Sequence, residues 1–167
     1  MPTVGGTPIL TSLTAPQFTT IELGHASDTT LSRSAAGVIA VEGVVIPSIS
    51  STNTLTNKRV TARVGSTTSS ATPTINTDDY DCYKITALAT AITSFTTNLS
   101  GTPSDFDELT IRIKDDGTAR AITWGASFAN HGAILPTTTT VSKTLTVKFI
   151  YDSVAAVWGC VSAGEEA

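Results

Sequence analysis

The chain is poor in charge. Asp, Glu, Lys and Arg make up 14% of its 167 residues, against about 25% in ordinary soluble domains. Its net charge is −4. That argues against a nucleic-acid binder, which carries a basic stripe. The densest basic cluster, Lys58-Arg59 with Arg63, reads as a solvated strand face rather than a phosphate site. Cysteines number 2, too few for a disulfide framework, so Cys82 and Cys160 are expected as buried or half-buried thiols. Histidines also number 2. His25 and His131 stand apart beside Gly or Ala, and neither has a second His or Cys at a ligand spacing. No metal or other cofactor is expected, because metal sites converge three or four ligands. No apolar run approaches the ~18 residues that span a bilayer, so membrane insertion is not expected. The opening residues lack a basic n-region and an apolar h-region, so a Sec-type signal is not expected either.

Known catalytic motifs are missing too. No nucleophile elbow, phosphate-binding loop or dinucleotide fingerprint occurs. The carboxylates cluster as Asp78, Asp79, Asp81 and as Asp105, Asp107, Glu108. Neither run has the glycine and closing glutamate of a calcium-binding loop, and capped turns account for both. The expectation is a protein that is not an enzyme.

Thr takes the place of charge, at about a fifth of the chain. Thr is β-branched and polar, which suits strands solvated on one face. The organising stretch is 108–125, ELTIRIKDDGTARAITWG. Leu109, Ile111 and Ile113 alternate with Thr110, Arg112 and Lys114, the period of a half-buried strand. Asp115-Asp116-Gly117 supplies turn chemistry, and Ile122 and Trp124 lie two apart on the return, so a β-hairpin is expected. Arg120 shares parity with Ile122 and Trp124, which requires an exposed turn end or a bulge.

The remaining elements fall in order. Residues 1–20 hold Pro2, Pro8 and Pro16 and read as a flexible or extended arm. Residues 21–57 read as a small β segment, or stem, whose end at Pro47–Asn57 is a linker. Residues 58–163 read as the main domain, with a strand over 58–64 and a polar loop over 65–74. Over 85–95, the spacing of Ile85, Leu88, Ile92 and Phe95 fits a helix, while the threonines and the lack of an N-cap favour a strand. A turn at Ser100–Pro103 follows, then the hairpin, then a loop over 125–136. Leu145, Val147 and Phe149 alternate in a strand that turns at 152–156 and returns over 157–162 with Trp158 and Cys160. Strand parity places both tryptophans in the core or at its edge. Residues 164–167 form a small acidic tail. The expected fold is all-β: a β-sandwich or jelly-roll-like domain preceded by an extended N-terminal β arm.

Two stretches carry a resemblance. Residues 19–57, with IELGHASDTTLSRSAAGVIAVEGVVIPSISSTNTLTN, resemble a segment common near the C-terminal ends of tailed-phage fibre, collar and other virion proteins. Residues 58–163, above all LSGTPSDFDELTIRIKDDGTARAITWG, LPTTTTVSKTL and FIYDSVAAVWGCVSA, resemble the β domain that often follows it. The chain departs from that pattern at Asp105-Phe106-Asp107, where many relatives carry a Gly-Gln-Lys turn. The resemblance implies a virion structural module of tail-fibre or spike type, homotrimeric and associated with other virion proteins. In such a trimer Ile21, Leu23, Leu31, Ile39, Val41 and Val45 would supply a shared apolar interior. A sheet this small needs a partner in any case. The alternative is a receptor-binding tip that recognises host-surface glycan through loops 65–79, 100–107 and 125–137.

Overall fold

A computed structural model describes residues 59–167 throughout. Of the first 58 it describes 3–4, 7–8, 20–22, 30–35, 38–41, 44–46 and 57. His25, Leu23, Lys58, residues 47–56 of the expected linker and most of the expected arm lie outside the described residues. The chain divides into two compact units, Met1–Lys58 and Arg59–Ala167.

In the first unit, β1 (Thr3–Val4) and β2 (Thr7–Pro8) pair antiparallel. The strands β3 (Thr20–Glu22), β4 (Thr30–Ala35), β5 (Val38–Val41) and β6 (Val44–Val45) form an antiparallel meander in chain order. Positions opposite one another in such a ladder share a face. Position 21 faces 31 and position 31 faces 41, so these three form one cross-strand row. Position 45 faces Ala40, in the row of 32 and 20. Ala40 is buried and Val41 half-buried.

The second unit is all-β, with no helix among the described residues, but it is not a sandwich or jelly roll. It is a parallel β-solenoid of about three turns. Its first wall stacks β7 (Val64–Thr67), β9 (Cys82–Leu88) and β11 (Glu108–Asp115) in parallel. Val64 lies beside Cys82, and Cys82 beside Thr110. On a second wall β8 (Ile75–Asn76) lies parallel to β10 (Leu99–Ser100). On a third, Ile92 forms a parallel bridge with Ile122. Turn-to-turn backbone bonds continue between these walls, from Thr93 N to Ala71 O (2.8 Å), Thr123 N to Ile92 O (2.8 Å) and Phe95 N to Trp124 O (3.1 Å). A sandwich buries its alternating residues against a second sheet; here they point into the space that the coil itself encloses.

An antiparallel pair closes the C-terminal side. The strand β13 (Thr144–Asp152) pairs antiparallel with β11, and β14 (Val157–Glu165) with β13. The strand β12 (Phe128–Asn130) joins the outer edge of β14 in parallel. The order across this six-stranded sheet is β12-β14-β13-β11-β9-β7.

Several local expectations change accordingly. The run after Gly117 does not fold back on β11, so 108–125 is no hairpin: β11 takes β13 and β9 as neighbours, and Ile122 meets Ile92 of the previous turn. The strand expected over 58–64 begins only at Val64 and runs into the expected loop, and β12 occupies the middle of the expected 125–136 loop. Residues 82–88 are strand and Phe95 is in no strand. The returning strand passes Ser162 and continues through Glu165, where Lys114 reaches the Glu166 carboxylate at 2.7 Å.

The inward faces follow the alternation closely. Leu109, Ile111, Ile113, Val147 and Phe149 are wholly buried, and Trp124 and Trp158 nearly so. The cross-strand rows Tyr83–Ile111–Val147 and Ile85–Ile113–Leu145 cross from the parallel to the antiparallel half of the sheet. Phe95 stacks on Trp124 with ring centroids 4.6 Å apart, and Phe128 and Phe149 close the cluster. Asp115, at the end of β11, is a buried carboxylate. Its Oδ1 accepts from the Gly117 and Ser142 N–H groups at 2.8 and 2.9 Å, and its Oδ2 from the Thr139 hydroxyl at 2.6 Å. The Thr139 hydroxyl holds this carboxyl below the ordinary carboxylate range, with the two backbone N–H groups and the Arg120 charge adding to the effect. Arg120 sits at the end of no hairpin; it meets Asp116 at 3.5 Å.

Candidate functional site

A concavity with a mainly apolar lining lies where three loop segments meet. The first is the bend at Ser104–Asp107. Ser104 N donates to Asp107 Oδ2 at 2.7 Å, and Asp107 N returns to the Ser104 carbonyl at 3.1 Å. Phe106, at the tip, has φ +66°, the left-handed region that a bulky residue occupies only under constraint. The constraint is visible. Phe106 N donates to the Tyr151 carbonyl at 3.0 Å, and Tyr151 N to the Asp107 carbonyl at 2.9 Å. The bend is thereby bonded to the end of β13.

The second segment is the turn joining β13 to β14. Asp152 Oδ1 accepts from the Val154 and Ala155 N–H groups at 2.9 and 3.0 Å. This is the side-chain-to-backbone turn that aspartate favours. Those N–H groups, Ala155 first, hold the Asp152 carboxyl below its ordinary range, with a further contribution from the charge of His131. Ser153 N donates across to Asp105 Oδ1 at 3.0 Å, so the two bends are latched together. The third segment carries His131, whose N–H donates to the Cys160 carbonyl at 3.0 Å. Its side chain packs against Gly159: a Cβ there would stand 2.7 Å from His131 Nδ1.

These segments enclose a cleft of about 330 Å³, near the lower end of the ~300–1,000 Å³ of small-molecule sites. Asp105, Phe106, His131, Tyr151, Asp152 and Val154 are among its walls. Phe106 is 77% exposed and Val154 95%. Tyr151 is half-buried with its ring 5.1 Å from that of Trp158. Beyond Tyr151 lies a second depression of about 150 Å³ that reaches Ser100, Gly101 and Thr77.

Of the loops expected to bind, 100–107 and 125–137 meet in the larger cleft, while 65–79 reaches only the smaller one, through Thr77. The 152–154 turn was not foreseen as part of a site; the signal for it is Asp152, whose side chain shapes the loop, beside the apolar Val154. The acidic runs serve as turn caps and ion pairs. Asp78 Oδ1 accepts from the Thr102 N–H at 2.8 Å, Asp79 from Asn76 at 2.7 Å, and Glu108 meets Lys148 at 2.9 Å. Arg63 forks onto Asp81, and that hydrogen bond holds the Asp81 carboxyl below its ordinary range. Among the described residues no group of three or more His, Cys, Asp or Glu converges as metal ligands would. Cys82 is half-buried, Cys160 buried, and both are free thiols. Of the six positions expected at an oligomer interface, 21, 31 and 41 share one row, and 39 joins that face, two residues before 41 on β5. Position 45 falls in the Ala40 row, and Leu23 lies outside the described residues.

Comparison with known proteins adds little. No family model matches the chain, and no curated protein matches it. One solved structure, described as a chaperone-substrate complex, aligns with 83% of this chain at 15% identity and a TM-score of 0.36. The chain covers 20% of that structure's length. A likeness this distant carries no argument about function.

Proposed function

We propose that the chain is a non-catalytic assembly module of a tailed-phage particle, of tail-fibre or spike type, that works as a homotrimer in the virion beside other virion proteins. The observation that carries this reading is the contrast between the two units. Arg59–Ala167 encloses an aromatic and aliphatic core. The meander in Met1–Lys58 is one layer of strands two to six residues long. A layer of that size buries too little apolar area to stand alone in water. Val41, on the row of positions 21 and 31, is only half-buried in the single chain. Three copies packed through that row would cover it. The phrase-level resemblance to virion proteins points the same way.

Sedimentation of the full chain at micromolar concentration tests the reading. A trimer is expected, and Val41→Arg should shift it toward monomer. A stable monomer of the wild-type chain would overturn the proposal.

A second reading has its own support. The cleft beside Phe106 presents an exposed aromatic ring to solvent, as a receptor-binding tip for host-surface glycan would.

A further inference from the structure

We infer that the cleft between the Ser104–Asp107 bend and the β13–β14 turn takes an uncharged sugar ring, its apolar face stacked on Phe106 and its hydroxyls donated to Asp105 and Asp152. This inference rests on the receptor-binding reading and gives it a site and an uncharged ligand.

Phe106 makes the first argument. An aromatic side chain ordinarily buries 150–250 Å² on folding, and this one is 77% exposed. Its φ of +66° is sterically costly for a residue with a Cβ. The backbone bonds that tie Phe106 and Asp107 to Tyr151 hold it there. With the main chain held in this way, only the two side-chain torsions of Phe106 have to settle when a ligand stacks on its ring.

The carboxylates make the second. A carboxylate accepts hydrogen bonds through both oxygens and donates none. Asp105 and Asp152 each commit Oδ1 to backbone N–H groups. The Oδ2 atom of each has no hydrogen-bond partner among the described residues, and both side chains line the cleft. Two acceptors on separate bends, lining one cleft with an aromatic ring, match a molecule that has hydroxyl donors around its rim and C–H groups on its face. A pyranose has that construction.

Charge makes the third. Two carboxylates line the cleft and His131 is its single basic side chain, with no lysine or arginine among its walls. Such walls repel a carboxylate or phosphate on the ligand. They would tolerate an amine, but cationic headgroups are held by cages of several rings. Here Tyr151 is turned against Trp158, and Phe106 alone is presented. The saccharide is therefore the better fit, and a cation is an outcome the experiment must separate.

Ligand-observed NMR and calorimetry on the full chain provide the test. Probes are methyl glucoside, methyl galactoside and N-acetylglucosamine as neutral rings, glucuronate as the acid, and choline as the cation. At least one neutral ring should bind. Phe106→Ala should weaken it about tenfold, Phe106→Trp should retain it, and Asp152→Asn, which keeps the turn-capping oxygen, should weaken it a few-fold. Phe106 is exposed, so each variant should melt within a few degrees of wild type. Tighter binding of glucuronate or choline, lost with Phe106→Ala, would keep a functional cleft and overturn the uncharged-sugar class. Binding that survives Phe106→Ala unchanged would overturn the site. No binding by any neutral ring would overturn this inference, and failure of the full chain to bind host cells would separately overturn the receptor reading.

Discussion

On one side of β11 the six-stranded sheet continues in parallel through β9 and β7, on the other it continues antiparallel through β13 and β14, and the two sides are stabilised differently. On the antiparallel side β13 and β14 are neighbours in sequence, joined by a turn at 153–156. Their pairing needs only alternation and that turn. On the parallel side each strand must travel around the coil before it meets the next, so Val64 waits for Cys82 and Cys82 for Thr110. Parallel pairing requires such crossovers and carries their closure entropy. What offsets that cost is the interior of the crossovers: Ile75, Ile92 and Phe95 are as fully buried as the strand residues themselves. A solenoid wall therefore depends on residues outside its strands, and a hairpin does not.

The sharpest way to break this distinction is to empty a crossover. Phe95→Ala removes the ring stacked on Trp124 and should cost ~3–5 kcal/mol, the usual range for a buried aromatic truncation. Denaturant unfolding measures it, and a loss under ~1 kcal/mol would show that the crossovers are not part of the core. A smaller effect is expected at Gly101, with φ +113° just after β10. A Cβ there would stand 2.2 Å from Thr77 Oγ1 and 2.9 Å from Thr77 N. Gly101→Ala should cost about 2 kcal/mol through strain and displacement of the neighbouring turn, with hydrogen exchange rising first in the β8–β10 wall and last in β13–β14.

Acid should test the seam between the halves. The folded-state pKa of Asp115 lies below that of the unfolded chain, so the unfolded state binds more protons as pH falls. The stability contributed is complete above the ordinary aspartate value of about 4 and is lost as pH drops from there through the folded value. Asp81, Asp152 and Glu166 shift in the same direction, so the acid slope is shared. Asp115→Asn should flatten part of it, measured as melting temperature from about pH 6 to pH 3. An unchanged slope would remove Asp115 from the account. The smallest effect is expected on the antiparallel surface. The Glu108–Lys148 pair spans β11 and β13 at 2.9 Å, with the side chains 58% and 42% exposed. Glu108→Gln should cost less than ~1 kcal/mol and nothing measurable in high salt.

The same contrast explains what could be read in advance. The alternation Leu109/Ile111/Ile113 and Leu145/Val147/Phe149 identified strands and their buried faces, because a period of two specifies which side of a strand is dry. It does not specify the partner or its direction. Ile122 and Trp124 carry the same signal as a hairpin return, yet they stack on the turn before. The cleft was half legible for a related reason. Loops 100–107 and 125–137 could be named as candidate binding loops, but their meeting with the 152–154 turn depends on how many residues each coil consumes. Phe106 gave no sign in sequence that it would be held at positive φ and left in solvent.

Composition and periodicity alone determined that this is a strand protein, which side chains enter its interior, and where the last two strands turn, since each of these depends on residues within a few positions of one another. The tertiary structure decided the parallel coiling, the choice of neighbours for β11, and the gathering of Asp105, Phe106, His131 and Asp152 around one cleft. Those outcomes depend on contacts between residues far apart in the chain, where the winner is set by which closure buries the most apolar surface, and no local pattern encodes that competition.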